Sequence, residues 1–166
     1  MKKNRSKFVT ISALALSAAC HAPAWAQIVI TCGQVLDIGE LVACGSGTLT
    51  IHPDGSTTPG GCIVVNAPPN PAHCIISTGG VLPTRNVVVK FTSPSMTIKD
   101  GGGGKATINF LKMLPSGATI PKAQFTFTPT EVGNGIHLDI GGRLDFTTGQ
   151  ALGAYSGTVS ITADLQ

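Results

Sequence analysis

The sequence predicts an all-β fold from residue 27 onward, an antiparallel β-sandwich of seven to nine strands. Three observations carry that expectation. Apolar residues recur at every second position over short stretches, the mark of a strand with one buried face. Gly, Pro and small polar residues separate those stretches. No window after residue 26 shows the spacing of an amphipathic helix. A small closed barrel is the alternative architecture.

The elements follow in order. "QIVIT" (27–31) and "QVLDIGEL" (34–41) open the run, "GTLTIH" (47–52) follows, and "PDGSTTPGG" (53–61) reads as a turn. "CIVVN" (62–66) and "CIIST" (74–78) read as a hairpin around a Pro-rich turn. "RNVVVKF" (85–91) and "SMTIK" (95–99) come next, and "DGGGG" (100–104) allows a tight reversal into "KATINFLKM" (105–113). "AQFTFTP" (123–129) alternates Phe with Thr. "GIHLDIGGRLDF" (135–146) alternates Ile136, Leu138 and Ile140 with polar residues, breaks at Gly141–Gly142 and resumes. In the closing stretch Tyr155, Gly157, Val159, Ile161, Ala163 and Leu165 share one face of a strand, and Ser, Thr, Asp and Gln share the other.

Residues 1–26 stand apart. Lys2, Lys3, Arg5 and Lys7 precede an apolar run from Phe8 to Cys20, and "AWA" precedes Gln27. That layout predicts a secretory signal peptide cleaved after Ala26. The apolar run is too short for a retained membrane span. Lipid attachment at Cys20 needs a large apolar residue where Ser17 stands. The expected product is one domain, residues 27–166, exported to the periplasm, the cell surface or the medium of a Gram-negative type of cell, with no stable membrane anchor.

Four of the eleven Lys and Arg lie in the first 26 residues, so residues 27–166 carry seven basic against eight acidic side chains, a net charge of −1. That balance gives no electrostatic case for nucleic acid or an anionic membrane as partner. Cys32, Cys44, Cys62 and Cys74 remain, and four Cys in an exported chain point to two disulfides. Three pairings are open; the hairpin around the Pro-rich turn favours 62–74, leaving 32–44. A metal reading is weak: no C-x-x-C occurs, and His52, His73 and His137 are scattered.

A search for catalytic chemistry comes back empty. "DGGGGK" has Lys99 where a phosphate loop needs its first Gly, and Ala106 where it needs a hydroxyl. Asp54 in "HPDGS" is a single carboxylate, which suits a turn better than a cation cage. "CGSG" (44–47) lacks the spacing of a nucleophile elbow. Asp139 and Asp145 form a carboxylate pair only if the fold brings them together. No enzyme activity and no cofactor are expected.

The final stretch also carries a resemblance. It is similar to the end of pilus subunits of the chaperone–usher route, which close on an alternating strand with a Gly fourteen places from the terminus and an aromatic in the penultimate place. Gly153 matches the first feature; Leu165 stands at the second. "LDIGELVACGSGTLTIHPDG", "GGCIVVNAPPNPAHCIISTGG" and "GGRLDFTTGQALGAYSGTVSITADL" resemble a bacterial family of exported domains of unknown function, family 4402, over most of residues 36–166. In that family Ile38 replaces the usual Phe, and the four Cys are extra. The resemblance implies a pilin-like, immunoglobulin-like sandwich and a structural or adhesion role, with strands exchanged between subunits. It implies other pilin-like subunits and a periplasmic chaperone as partners. The acceptor edge is then the C-terminal strand, lined by Val159, Ile161, Ala163 and Leu165, and the donor is the segment holding Ile28 and Ile30. The alternative from another class is a self-complete monomeric binding module, with glycans as one candidate ligand.

Overall fold

A computed structural model describes residues 27–99, 105–147 and 158–166. The described residues form ten strands and one short helix. The strands are β1 (Ile28–Gln34), β2 (Glu40–Ile51), β3 (Thr57–Ala67), β4 (Ala72–Thr78), β5 (Val87–Phe91), β6 (Met96–Lys99), β7 (Lys105–Pro115), β8 (Gln124–Phe127), β9 (Ile136–Phe146) and β10 (Ile161–Leu165); the helix α1 is Pro129–Asn134. All named pairings are antiparallel. The all-β, two-sheet, sandwich-like architecture is therefore as expected, with one strand more than the upper count. The short helix is the departure. Its signal was present: Thr128 and Glu131 close a capping box and Pro129 occupies the first turn. At six residues it is too short to show a period.

β9 organises the larger sheet. β7 runs along one of its edges, Thr107 opposite Asp145 through Pro115 opposite Leu138. Two strands divide its other edge. β4 pairs with the first half, Ala72 opposite Ile140, and β2 with the second, Ile51 opposite Gly142. β1 adds outside β4, β3 outside β2, and β6 outside β7. The second sheet has the order β10-β5-β8.

The break at Gly141–Gly142 lies where β9 changes partners. A Cβ on Gly141 would stand 2.1 Å from the carbonyl oxygen of Ile51 and 2.9 Å from backbone atoms of His52 and Pro53. The chain leaving β2 thus crosses directly over this glycine, and no side chain fits beneath it. Gly142 lies against Ile108 and Leu111 of the neighbouring β7. On β7 the alternation shifts opposite this point. Ala106 and Ile108 face inward, and so do Leu111 and Met113, because a bulge at Phe110 and Leu111 sets two residues against one. Phe110 takes φ 51° there, its ring points outward, and the Arg143 guanidinium lies 4.3 Å from the ring centre. Arg143 Nε also donates to Asp145 Oδ1 at 2.9 Å, and Asn109 Nδ2 donates to Asp145 Oδ2 at 2.8 Å. Partial burial works against the charged Asp145, but these bonds and the guanidinium charge hold its carboxyl below the usual range.

Two apolar clusters fill the interior. One lies between the sheets: Cys74, Ile76, Met113, Ile136, Leu138 and Ile140 of the large sheet meet Val87, Val89 and Phe127 of the small one. The other lies under the far half of the large sheet and includes Leu49, Ile51, Ile98, Ile108, Leu144 and Phe146.

The hairpin expected between "CIVVN" and "CIIST" does not form. β3 pairs with β2, and β4 pairs with β1 and β9. Pro68, Pro69 and Pro71 carry the chain from one pair to the other, pinned midway by reciprocal backbone bonds between Asp37 and Asn70. The favoured disulfide pairing falls with it. The bonds are Cys32–Cys74, between register partners on β1 and β4, and Cys44–Cys62, across the β2–β3 hairpin. The turn of that hairpin is "HPDGS" alone: Asp54 accepts from the Ser56 amide at 2.9 Å, and Gly55 takes φ 85°. Residues 57–61, expected as part of the turn, instead pair with β2 as the start of β3. Cys44 and Cys62 flank this turn just as Cys62 and Cys74 flank the prolines. The "DGGGG" segment lies outside the described residues, but β6 and β7 pair on either side of it, Lys99 opposite Lys105.

The crossing over Gly141 gives a direct test. Gly141→Ala is expected to lower unfolding free energy by about 3 kcal/mol or more, because backbone rather than a flexible side chain must give way. Urea denaturation of the variant beside the wild type measures it, and a loss under about 1 kcal/mol would remove the crossing from the account.

Candidate functional site

The expected site residues on the final strand divide into three groups. Gly153, Tyr155 and Gly157 lie outside the described residues. Ile161, Ala163 and Leu165 lie on β10, opposite Phe91, Val89 and Val87 of β5. Val159 precedes the strand and packs against the second apolar cluster. Ile161 and Ala163 are half-buried against the first cluster, while Leu165 is 47% exposed.

Among the described residues β10 has a partner on one side only. Flanking bonds show which groups face the other side. The Thr92 amide donates to the Ser160 carbonyl at 3.0 Å, and the Gln166 amide donates to the Asn86 carbonyl at 2.9 Å. In an antiparallel ladder such pairs recur at every second residue. Thr162 and Asp164 therefore bond to β5, and Lys90 Nζ reinforces the second with an ion pair to Asp164 at 3.0 Å. Ile161, Ala163 and Leu165 turn their backbone N–H and C=O groups toward the free border. The side chains of Ile161 and Ala163 rest on the core, while that of Leu165 stays half exposed.

β1 has the same property on the other sheet. Among the described residues it pairs with β4 alone, and the Gly79 amide donates to the Gln27 carbonyl at 2.8 Å. The same alternation directs the backbone groups of Ile28, Ile30 and Cys32 away from β4. The side chains of Ile28 and Ile30 pack, half-buried, on the cluster that Ile161 and Ala163 touch. The segment expected as a donor is thus an edge strand of its own chain's sheet here.

An apolar cavity of about 270 Å³ lies beside the end of β1 and the residues that lead into β10, lined by Cys32, Gln34, Leu36, Cys74, Ile140, Thr158 and Val159 among others. That is below the roughly 300–1,000 Å³ of most small-molecule sites. It suits an inserted aliphatic side chain. Val35 at its rim is 76% exposed.

A larger cleft of about 520 Å³ lies between the β7–β8 loop and α1, lined by Ser116, Phe125, Phe127, Glu131, Asn134 and His137 among others. Glu131 is held below the usual carboxylate range by the backbone amide and hydroxyl of Thr128. Asp139 and Asp145 do not form a carboxylate pair: Asp139 bonds to His73 and Asp145 to Arg143 and Asn109. Among the described residues no group of three or more His, Cys, Asp or Glu is arranged to hold a metal ion, and no helix is long and apolar enough to cross a membrane.

The fold thus defines an all-β, disulfide-bonded domain with an apolar opening beside β1 and the residues that lead into β10. The chain belongs to the family described as "Domain of unknown function (DUF4402)", whose model matches residues 28–164. Comparison with curated proteins and with solved structures gave no match.

The Cys32–Cys74 bond ties β1 beside this opening to the core. Replacing both Cys by Ser is expected to cost about 2–5 kcal/mol. Denaturant titration of the double variant checks the magnitude, and unchanged stability would mean the bond does not hold that wall.

Proposed function

We propose that the protein is an exported, pilin-like structural or adhesion subunit that assembles by β-strand complementation. An extended segment of a neighbouring subunit adds along β10, bonding to the outward backbone groups of Ile161, Ala163 and Leu165, and lays alternate apolar side chains against the half-buried Ile161 and Ala163. One observation carries this reading: β10 is laddered on one side, with its apolar face half-covered and the opposite border free among the described residues. A free edge beside exposed apolar surface is a liability that a solitary domain normally covers. Strand addition converts it into an interface. The signal-like residues 1–26 and the two disulfides favour export, since such bonds persist in oxidising compartments. If Ile28 and Ile30 serve as donor, residues 28–31 must leave β4 in one subunit to enter the next, with Cys32–Cys74 marking where release stops. A periplasmic chaperone is the partner expected to occupy the border before assembly.

The second reading, a self-complete binding module, draws on the 520 Å³ cleft beside α1, which is large enough for a small ligand. Sedimentation of residues 27–166 separates the two. The subunit reading predicts concentration-dependent oligomers for the wild type and monomers for Ala163→Pro, which removes an outward N–H without touching the β5 ladder. Its melting temperature should stay within a few degrees of wild type. A wild type that remains monomeric at every concentration contradicts strand exchange and favours the module.

A further inference from the structure

β4 and β9 place three polar side chains together on the outer face of the large sheet, away from the opening. His73 is the register partner of Asp139, and His137 lies two pairs further along, on the same face, opposite Ile75. His73 Nδ1 lies 2.7 Å from Asp139 Oδ1, and His73 Nε2 lies 3.2 Å from His137 Nδ1. The rings are 5.4 Å apart and tilted by 36°. His137 is exposed and His73 half-buried, so both are reachable from solvent.

We propose that His73 and His137 form a two-imidazole site for a divalent transition-metal ion of the Zn²⁺ type, with Asp139 as the positioning residue. Asp139 accepts a hydrogen bond from His73 Nδ1–H, which leaves the lone pair on Nε2; the ion replaces the hydrogen bond between His73 Nε2 and His137 Nδ1, with His137 carrying its proton on Nε2. A carboxylate behind a ligating imidazole, fixing its tautomer and orientation, is the usual support of a histidine ligand. The spacing also fits. Two nitrogens each about 2.0–2.1 Å from a tetrahedral ion stand roughly 3.3–3.4 Å apart. The observed 3.2 Å needs only a small adjustment. Imidazole nitrogens suit Zn²⁺, Cu²⁺ and Ni²⁺ better than Mg²⁺ or Ca²⁺, which take oxygen ligands. The chain supplies two donors, and water or a donor from a second molecule completes the coordination. The site stands on this face alone and does not depend on strand complementation.

Isothermal titration of the untagged chain with ZnCl₂ tests it. The expected result is one ion per chain for the wild type, no saturable binding for the His73→Ala, His137→Ala double variant, and about tenfold or greater weakening for Asp139→Asn. His52→Ala, whose ring bonds to Thr58 elsewhere, should bind as the wild type does. Nuclear magnetic resonance adds a readout that needs no variant: the imidazole signals of His73 and His137 should shift with Zn²⁺ while those of His52 stay put. A wild type that takes up no Zn²⁺, a double variant that binds undiminished, or equal shifts at all three histidines would overturn the proposal.

Discussion

Everything in the larger sheet depends on β9 being paired along both edges while one of those edges serves two different strands. β4 takes residues 136–140 and β2 takes 142–146. The handover needs a residue with no side chain, because the chain leaving β2 passes within contact of the backbone at Gly141. Gly142 beside it keeps the inward parity of Ile136, Leu138, Ile140, Leu144 and Phe146, so one strand feeds both apolar clusters. The bulge at Phe110 on β7 answers the same bend from the opposite edge, and the Arg143–Asp145–Asn109 contacts lie across it.

A sheet built around a central strand leaves its weak points at the margins. β1 and β10 belong to different sheets, each has one partner among the described residues, and both rest apolar side chains on the cluster between the sheets. Among the described residues their outer borders carry free backbone groups beside half-buried aliphatic side chains. The outer face of β4 and β9 instead groups the exposed His137 with the half-buried His73 and Asp139. Strand addition suits the first surface and polar ligation the second. The two therefore lend themselves to separate roles on one small domain.

The period-two pattern made the strands legible, and with them the fold class and the inward residues of β9. Pairing was much less legible. Alternation says which face of a strand is buried but not which strand lies beside it, and that gap led to the wrong hairpin and the wrong disulfides. The prolines at 68, 69 and 71 looked like a turn and act as a crossover. Phe110 interrupts its strand with a bulge that no glycine announces. His73 and His137 stood 64 positions apart in the chain and become neighbours only through the register of β4 on β9. Thr128-x-x-Glu131 was a readable helix start that the search for longer periods passed over.

The central claim is that β10 is bonded on one side and open on the other. Amide hydrogen exchange of residues 27–166 at low concentration, read residue by residue, tests it most directly. The account predicts protected amides at Thr162 and Asp164, which donate to β5, and fast exchange at Ile161, Ala163 and Leu165. Equal protection along the whole strand in the monomer would show that the border is already covered, and would contradict it.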